Sequence, residues 1–361
     1  MSLKKISITL DSGILGLQKY GGISNYWNRL IENIRYRSPL QATLLLPKNI
    51  VNLDFDKTLV AEMNCNEDKF HNRVSRYLEG RVKPGCDIFH SSYYRLPNSG
   101  RCRYIVTVYD FIYERYDKGV SRWVHSFQKE RALGRADAII CISESTRQDA
   151  LRFFPWLDPS NVHVVYLAVD HKRFYPDSKS EDSALHDTVL WVGQRGGHKR
   201  FDLAVATLSY HDDLKLGIVG PELTKQEITL LDTSCSDRWV YLGAVNEARL
   251  RQIYSSVFAL IYPSDYEGFG LPILEAMACG CPVLAANTSS LPEVGGEAAV
   301  YAYRQNPLNY SDKLNFIKSD RPALVNLGID RAKLFTWEKT FNETVSIYVD
   351  QASNANLKKK H

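Results

Sequence analysis

Apolar residues fall into two alternating rhythms along the chain. Short continuous runs lie at 5–10, 42–46, 87–90, 104–109, 138–142 and 162–167. Runs of this kind are what strands buried on both faces of a parallel sheet show. Helical spacing fills the intervals: after Gly21-Gly22, Trp27, Leu30, Ile31 and Ile34 recur on one face. Ser143 follows the fifth run and can cap a helix from Glu144. A polar stretch, 170–186, interrupts with Pro176 and several Asp, Glu, Ser and Lys. The rhythm then restarts, with strands expected at 188–192, 215–219, 239–242, 257–262 and 282–285 and helices at 201–208, 248–255 and 272–278. An amphipathic helix at 337–349 and a solvated Lys358-Lys359-Lys360 tail close the pattern. Two strand–helix series joined by a linker predict an α/β protein of two doubly wound, Rossmann-like domains. The expected boundaries are 1–170, a linker at 171–186, 187–336, and a closing helix and tail at 337–361.

Composition narrows this picture. Of 361 residues 44% are hydrophobic and 24% charged, enough for two ordinary cores. No apolar run reaches the length of a spanning helix, and the N-terminus has no secretory pattern, so a cytoplasmic protein is expected. Seven scattered cysteines, with Cys279 and Cys281 the one close pair, fit reduced thiols better than a metal or disulfide framework. The net charge of +4 is uneven: 1–170 carries 24 Lys/Arg against 18 Asp/Glu, the remainder 21 against 23. Arg73, Arg76, Arg81 and Lys83, and again Arg122, Lys129, Arg131 and Arg135 around Trp123 and Phe127, concentrate the excess. A positive first domain suits an anionic acceptor or a peripheral contact with an acidic membrane, and equally a solvated helical face. No nucleic-acid motif accompanies the charge.

Three segments carry candidate chemistry, each at a strand end. In 264–286, Gly268 and Gly270 let backbone N–H groups approach a ligand, and Pro272 opens a helix whose N-terminus attracts an anion. Glu267 and Glu275, eight apart, are placed to accept hydrogen bonds from hydroxyls. In 192–199, Arg195 and Lys199 flank Gly196-Gly197 ahead of a helix. Cations there are electrostatically misplaced unless an anion lies with them, and a diphosphate would suit both. The third segment, Gly21-Gly22-Ile23-Ser24, is a glycine turn after the first strand.

Together with 137–144 (DAIICISE) and 164–174 (VVYLAVDHKRF), these segments resemble the retaining, metal-independent glycosyltransferases of the GT-B fold with an E-x7-E signature. Within that group the likeness is to bacterial mannosyltransferases of O-antigen and capsule assembly. The resemblance implies two domains facing across a cleft, the C-terminal helix packing back on the first, with an acceptor-binding N-domain and a nucleotide-sugar-binding C-domain. It implies that Arg195 and Lys199 hold the donor diphosphate, Glu267 the donor sugar and Glu275 the ribose. Backbone of Gly268, Phe269, Gly270 and Leu271 would touch sugar and phosphates. Gly22 would lie against the diphosphate, and Gly243 and Val245 would frame the base. Many relatives have His-Asp where this chain has Tyr109-Asp110, so Tyr109 either contacts the sugar or packs, and Asp110 either orients a substrate or caps the next turn. The implied partners are a nucleotide-sugar donor, GDP-mannose favoured over a UDP-sugar, and a glycan or lipid-linked glycan acceptor. No cofactor or metal is implied.

Rival readings are a metal-dependent transferase using Asp54-Phe55-Asp56, a sugar-nucleotide epimerase, and a non-catalytic nucleotide-sugar-binding partner. No glycine-rich phosphate loop accompanies the D-x-D triplet. Presence of Arg195, Lys199, Glu267 and Glu275 together argues against loss of catalysis.

Overall fold

The computed structural model describes residues 5–19, 21–35, 40–68, 72–177, 182–303 and 306–358. Residues 178–181 of the polar stretch and Lys359-Lys360 of the tail lie outside them. The chain divides into two compact units, one of residues 1–167 with 337–361, the other of 168–336.

The first unit is a seven-stranded sheet of β1 (Ile6–Asp11), β2 (Leu40–Leu46), β3 (Asn64–Glu67), β4 (Ile88–Ser91), β5 (Arg103–Val108), β6 (Ala138–Cys141) and β7 (Val162–Val164). All neighbours are parallel, in the order β3-β2-β1-β4-β5-β6-β7. Its helices are α1 (Gly22–Ile34), α2 (Thr58–Glu62), α3 (Asn72–Ser75), α4 (Ile112–Tyr116), α5 (Val120–Leu133) and α6 (Glu144–Phe153). The Ser143 side chain caps α6 as expected, accepting from the Thr146 N–H at 3.0 Å. β3, of sequence Asn-Cys-Asn-Glu, is an edge strand held by register to β2, and no apolar run announced it.

The second unit has six parallel strands, β8 (Thr188–Val192), β9 (Lys215–Val219), β10 (Trp239–Gly243), β11 (Ala259–Tyr262), β12 (Val283–Ala286) and β13 (Ala299–Ala302), in the order β10-β9-β8-β11-β12-β13. Around it lie α7 (Phe201–Leu208), α8 (Lys225–Cys235), α9 (Glu247–Ser256), α10 (Leu271–Ala278), α11 (Leu291–Gly295) and α12 (Pro307–Lys333). α12 runs through Pro322 because the helix breaks at Asp320, whose backbone is non-helical. The polar stretch is tied down where it is described: Asp177 pairs with Arg251 at 3.1 Å, and the Asp182 N–H donates to Ser256.

The final helix, α13 (Trp337–Lys358), returns to the first unit. Trp337 stacks on Tyr26 of α1, the Tyr348 hydroxyl meets His90 of β4 at 2.6 Å, and Thr340 donates to the Tyr166 carbonyl. It thus packs back on the N-terminal domain, and it extends nine residues past the expected 349.

Both sheets reverse direction of strand order once, between β1 and β4 and between β8 and β11. Open α/β sheets bind ligands outside the carboxyl ends of strands at such a switch point. In the first unit that place is braced by charge. Asp11, the last residue of β1, is fully buried and accepts from Arg95 Nη1 at 2.9 Å. The same guanidinium grips Asp68 through both terminal nitrogens and donates to the Leu78 carbonyl. Removing one member leaves the others buried without their counter-ion, which typically costs about 3–5 kcal/mol. Arg95→Ala is therefore expected to lower the denaturant midpoint of the first unit while leaving the second unit's transition in place. Equal midpoints in urea for variant and wild type would show that water reaches the two carboxylates.

Candidate functional site

In the second unit the switch point gathers five loops at strand ends. β8 runs into Gly193, whose φ of +122° suits glycine and whose N–H donates to the Val219 carbonyl. The chain then makes a single 3-10 turn, Gly197–Lys199, passes Arg200 in left-handed geometry, and enters α7 at Phe201. Arg195 consequently lies well before the helix, not at its entrance.

That placement corrects one expectation. The two cations are expected to need an anion beside them, for which a diphosphate is the candidate, and each has a carboxylate of the chain itself. Arg195 Nε donates to Glu227 Oε1 at 2.7 Å, and Nη2 donates to the carbonyls of Pro221 and Glu222. Glu227 is the third residue of the capping box that starts α8, so its second oxygen is taken by the Thr224 N–H. The Arg195 side chain is only 5% exposed, and Nη1 alone carries no hydrogen bond. Lys199 Nζ donates to Glu267 Oε1 at 2.6 Å and to the Tyr262 hydroxyl at 3.3 Å. Arg200 is clamped by Asp202.

Glu267 leaves the loop after β11. Burial alone would raise its carboxyl, but the charge of Lys199 and the hydrogen bond it donates hold it below its ordinary value. Lys199 is correspondingly shifted up: burial opposes its charge, and Tyr262 and Glu267 outweigh that. The two stay an ion pair over the neutral range.

The backbone around Glu267 is held by a segment that sequence reasoning missed. After β12, Thr288 donates to the Ser264 carbonyl, Ser289 Oγ accepts from the Glu267 N–H at 2.9 Å, and Ser290 Oγ donates to the carbonyls of Glu267 and Phe269. Ser289 holds a φ of +46°, uncommon for serine. Three consecutive hydroxyl residues after an apolar run were the available signal. Gly270 caps α10 with a φ of +99°, and a Cβ there would sit 2.8 Å from Leu291. Leu271 and Pro272 form the first turn, with Pro272 second and not first. Phe269 is buried against Phe335, and Gly268 precedes it in the same turn.

Glu275 sits one turn into α10, with the Tyr254 hydroxyl 3.4 Å from Oε2. Burial, and then the nearby Glu247 carboxylate, push its carboxyl up to about 7. Gly243 ends β10 with a φ of +80° and accepts from the Gly220 N–H, and Val245 is half-buried just before α9. Arg195, Lys199, Gly243, Val245, Glu267–Leu271 and Glu275 therefore all lie at or just beyond strand ends of one sheet.

The remaining candidates belong to the first unit. Gly22 is the first residue of α1 and exposed. Tyr109 is 4% exposed, edge-on to Tyr26 at 6.1 Å, which is the packing alternative and not an open contact. Asp110 takes the capping role: its Oδ1 accepts from the Ile112 N–H at 3.1 Å. In the D-x-D triplet Phe55 is buried and Asp56 caps a turn by accepting from Thr58. Among the described residues no group of three or more His, Cys, Asp or Glu could hold a metal ion, and all seven cysteines are free thiols.

Two doubly wound parallel units, each with its own switch point, are the two domains of the GT-B fold. Residues 57–173 match the family described as Glycosyltransferase Family 4, and 179–333 that described as Glycosyl transferases group 1. The two matched segments together take in most of the chain, which is in this respect similar to the GT-B, family 4 group. Over 123 residues it is 39% identical to O-antigen chain mannosyltransferase B of Escherichia coli, covering 33% of this chain and 32% of that one. The chain spans about a third to two thirds of the length of the curated relatives it matches. Among solved structures, sucrose-phosphate synthase from Thermosynechococcus elongatus superposes with a TM-score of 0.76 at 18% identity, over 97% of this chain and 100% of that one. HepE of Anabaena, solved with UDP and glucose, gives 0.71 at 13%, over 96% and 100%. These structural likenesses establish the fold.

Glu275 offers a direct test of the site's electrostatics. Its folded carboxyl titrates near 7, above the unfolded value of 4.5, so the folded state binds the extra proton. The unit therefore loses stability as pH rises through that window and keeps it below. Glu275→Gln stays neutral throughout. Its stability relative to wild type should grow between about pH 5 and pH 8, by up to about 3 kcal/mol in urea unfolding. A difference independent of pH would mean an ordinary, hydrated carboxylate.

Proposed function

We propose that the chain is a retaining glycosyltransferase that moves a hexose, mannose first, from a nucleotide-diphosphate sugar to a glycan or lipid-linked glycan acceptor. The setting is bacterial surface-polysaccharide synthesis, on the cytoplasmic face of an anionic membrane, without a metal ion. The observation that carries the reading is the convergence of Lys199, Glu267 and the α10 N-terminus at the switch point of the second sheet. The kinship with an O-antigen mannosyltransferase supports mannose. Among the described residues no helix is long and apolar enough to cross a membrane.

In this reading the diphosphate lies between Lys199 Nζ, Arg195 Nη1 and the first turn of α10, where positive charge and the helix dipole meet it. Glu267, kept ionised by Lys199, accepts from sugar hydroxyls, and Glu275 accepts from the ribose. Gly243 and Val245 shape the place for the base. The bond from the anomeric carbon to the diphosphate oxygen breaks, and the acceptor oxygen bonds to the same face of that carbon. The departing oxygen takes the acceptor's proton, so no protein base is needed. Lys199 and Arg195 stabilise the negative charge that grows on the leaving group.

Lys199→Gln keeps a donor to Glu267 but removes the charge. It is expected to cut turnover by about a hundredfold at saturating donor. Turnover close to wild type would remove Lys199 from the chemistry. The donor is tested by melting the full chain with GDP, UDP, ADP and dTDP in turn. A nucleotide at a hundred times its Kd adds about 2.7 kcal/mol, or roughly 2–4 °C per kcal/mol in the second unit. A shift with GDP alone fits the proposal. A shift with UDP alone replaces the donor, and no shift with any of the four counts against the transferase itself. Transfer should also survive EDTA; loss restored by Mn²⁺ would reinstate a metal-dependent mechanism.

A further inference from the structure

The first unit exposes more apolar surface in one place than its fold accounts for. On α5, Val120 (79% exposed), Trp123 (77%), Val124 (43%) and Phe127 (67%) recur at i, i+3, i+4 and i+7, a single stripe along the helix. A helix normally turns such a stripe inward. α5 does bury an opposite face, where Lys129 pairs with Glu114 at 2.8 Å and His125 stacks on Tyr113. The exposed stripe is therefore additional to the one that holds the helix in place.

Facing it are Tyr77 and Leu78, themselves 49% and 39% exposed, with Val74 on α3 just before them. Between the two segments lies a cavity of about 230 Å³ lined by Tyr77, Leu78, Val124 and Phe127 at its apolar wall, and by Arg76 and Gln128 among its polar residues. Arg76 rests over the rings of Tyr77 and Tyr93, at 5.0 and 4.9 Å, and its Nε has no hydrogen-bond partner. The stretches 72–83 and 118–135 together hold nine Lys/Arg against two Glu, and Arg122, Arg131 and Arg135 are exposed. Glu79, which also lines the cavity, is paired with Arg131 at 3.6 Å.

We propose that α5 and the 74–78 segment form a docking surface for an anionic phospholipid bilayer. Trp123, Val120 and Phe127 enter the interfacial layer, the flanking arginines meet the headgroups, and the cavity takes one lipid phosphate on Arg76. Aromatic residues on a basic amphipathic helix are suited to that layer. Charge complementarity selects this occupant: a second copy of the chain would set the same basic surface against itself. The inference deepens the membrane part of the proposed function, and it stands or falls separately from the transferase chemistry.

The full-length chain is sedimented with vesicles of phosphatidylcholine alone and of phosphatidylcholine mixed with phosphatidylglycerol. Wild type should pellet with the mixed vesicles and be released by salt, since headgroup attraction is screened. The double variant Trp123→Glu/Phe127→Glu alters exposed positions only and should lose roughly tenfold or more in partitioning. Arg76→Gln should lower the preference for phosphatidylglycerol without abolishing residual binding. Both variants should keep the wild-type melting shift with nucleotide, which separates loss of docking from loss of the donor site. Equal pelleting of the double variant, or no pelleting of wild type, overturns the proposal. Self-association that the double variant abolishes, with no vesicle binding, overturns it in favour of a second copy.

Discussion

The Lys199–Glu267 ion pair is the constraint on which the second unit's site depends. Two ionised groups out of water cost far more than either contributes, unless each answers the other and further donors complete the set. The Tyr262 hydroxyl accepts a second bond from Lys199, and the pair thereby fixes the loop after β8 to the loop after β11 across the switch point. Everything nearby is arranged to keep that geometry. The Thr288–Ser290 hydroxyls fasten the backbone on the far side of Glu267, and Gly270 admits the turn that aims α10 at the same place. A site built in this way is organised before any ligand arrives, which is the condition for electrostatic stabilisation at low reorganisation cost.

Much of this was legible in the sequence because the determining signals were local. Strands β8 and β9 and helix α7 fall where apolar runs and helical spacing put them, and Ser143 caps α6 as its chemistry suggests. The glycines at 193 and 270 sit at positive φ, as strand-end turns require. What escaped was set by partners distant in sequence. The Arg195 carboxylate comes from Glu227, 32 residues on, and no spacing rule connects a strand-end arginine with the capping box of a later helix. The edge strand β3 has almost no apolar content, since an edge needs register more than burial. Tyr109 and Asp110 were undecided because the same dipeptide can face a ligand or a core. In the folded chain Tyr109 packs edge-on to Tyr26 and Asp110 accepts from the Ile112 N–H.

The two carboxylates of the signature, eight residues apart, have opposite electrostatic characters. Glu267 has a cation in contact and is held ionised, whereas Glu275 is pushed toward the protonated form by burial and, after it, by the carboxylate of Glu247. A motif that treats them as equivalent letters conceals this difference. Both are buried; the Lys199 charge overrides that burial at Glu267, while at Glu275 burial acts uncompensated and Glu247 of α9 adds to it, which decides which carboxylate is ionised near neutral pH.

The return of α13 gives the chain a nested order: the second unit is an insertion within the first. Residues Trp337, Thr340 and Tyr348 add contacts to Tyr26, Tyr166 and His90. On the ribosome the inserted unit leaves with all its strands while the enclosing one still lacks its last helix. The N-terminal sheet must therefore wait, with the α1–β4 face uncovered, until the final segment emerges. Synthesis from the amino end thus runs opposite to the order in which the two cores are completed.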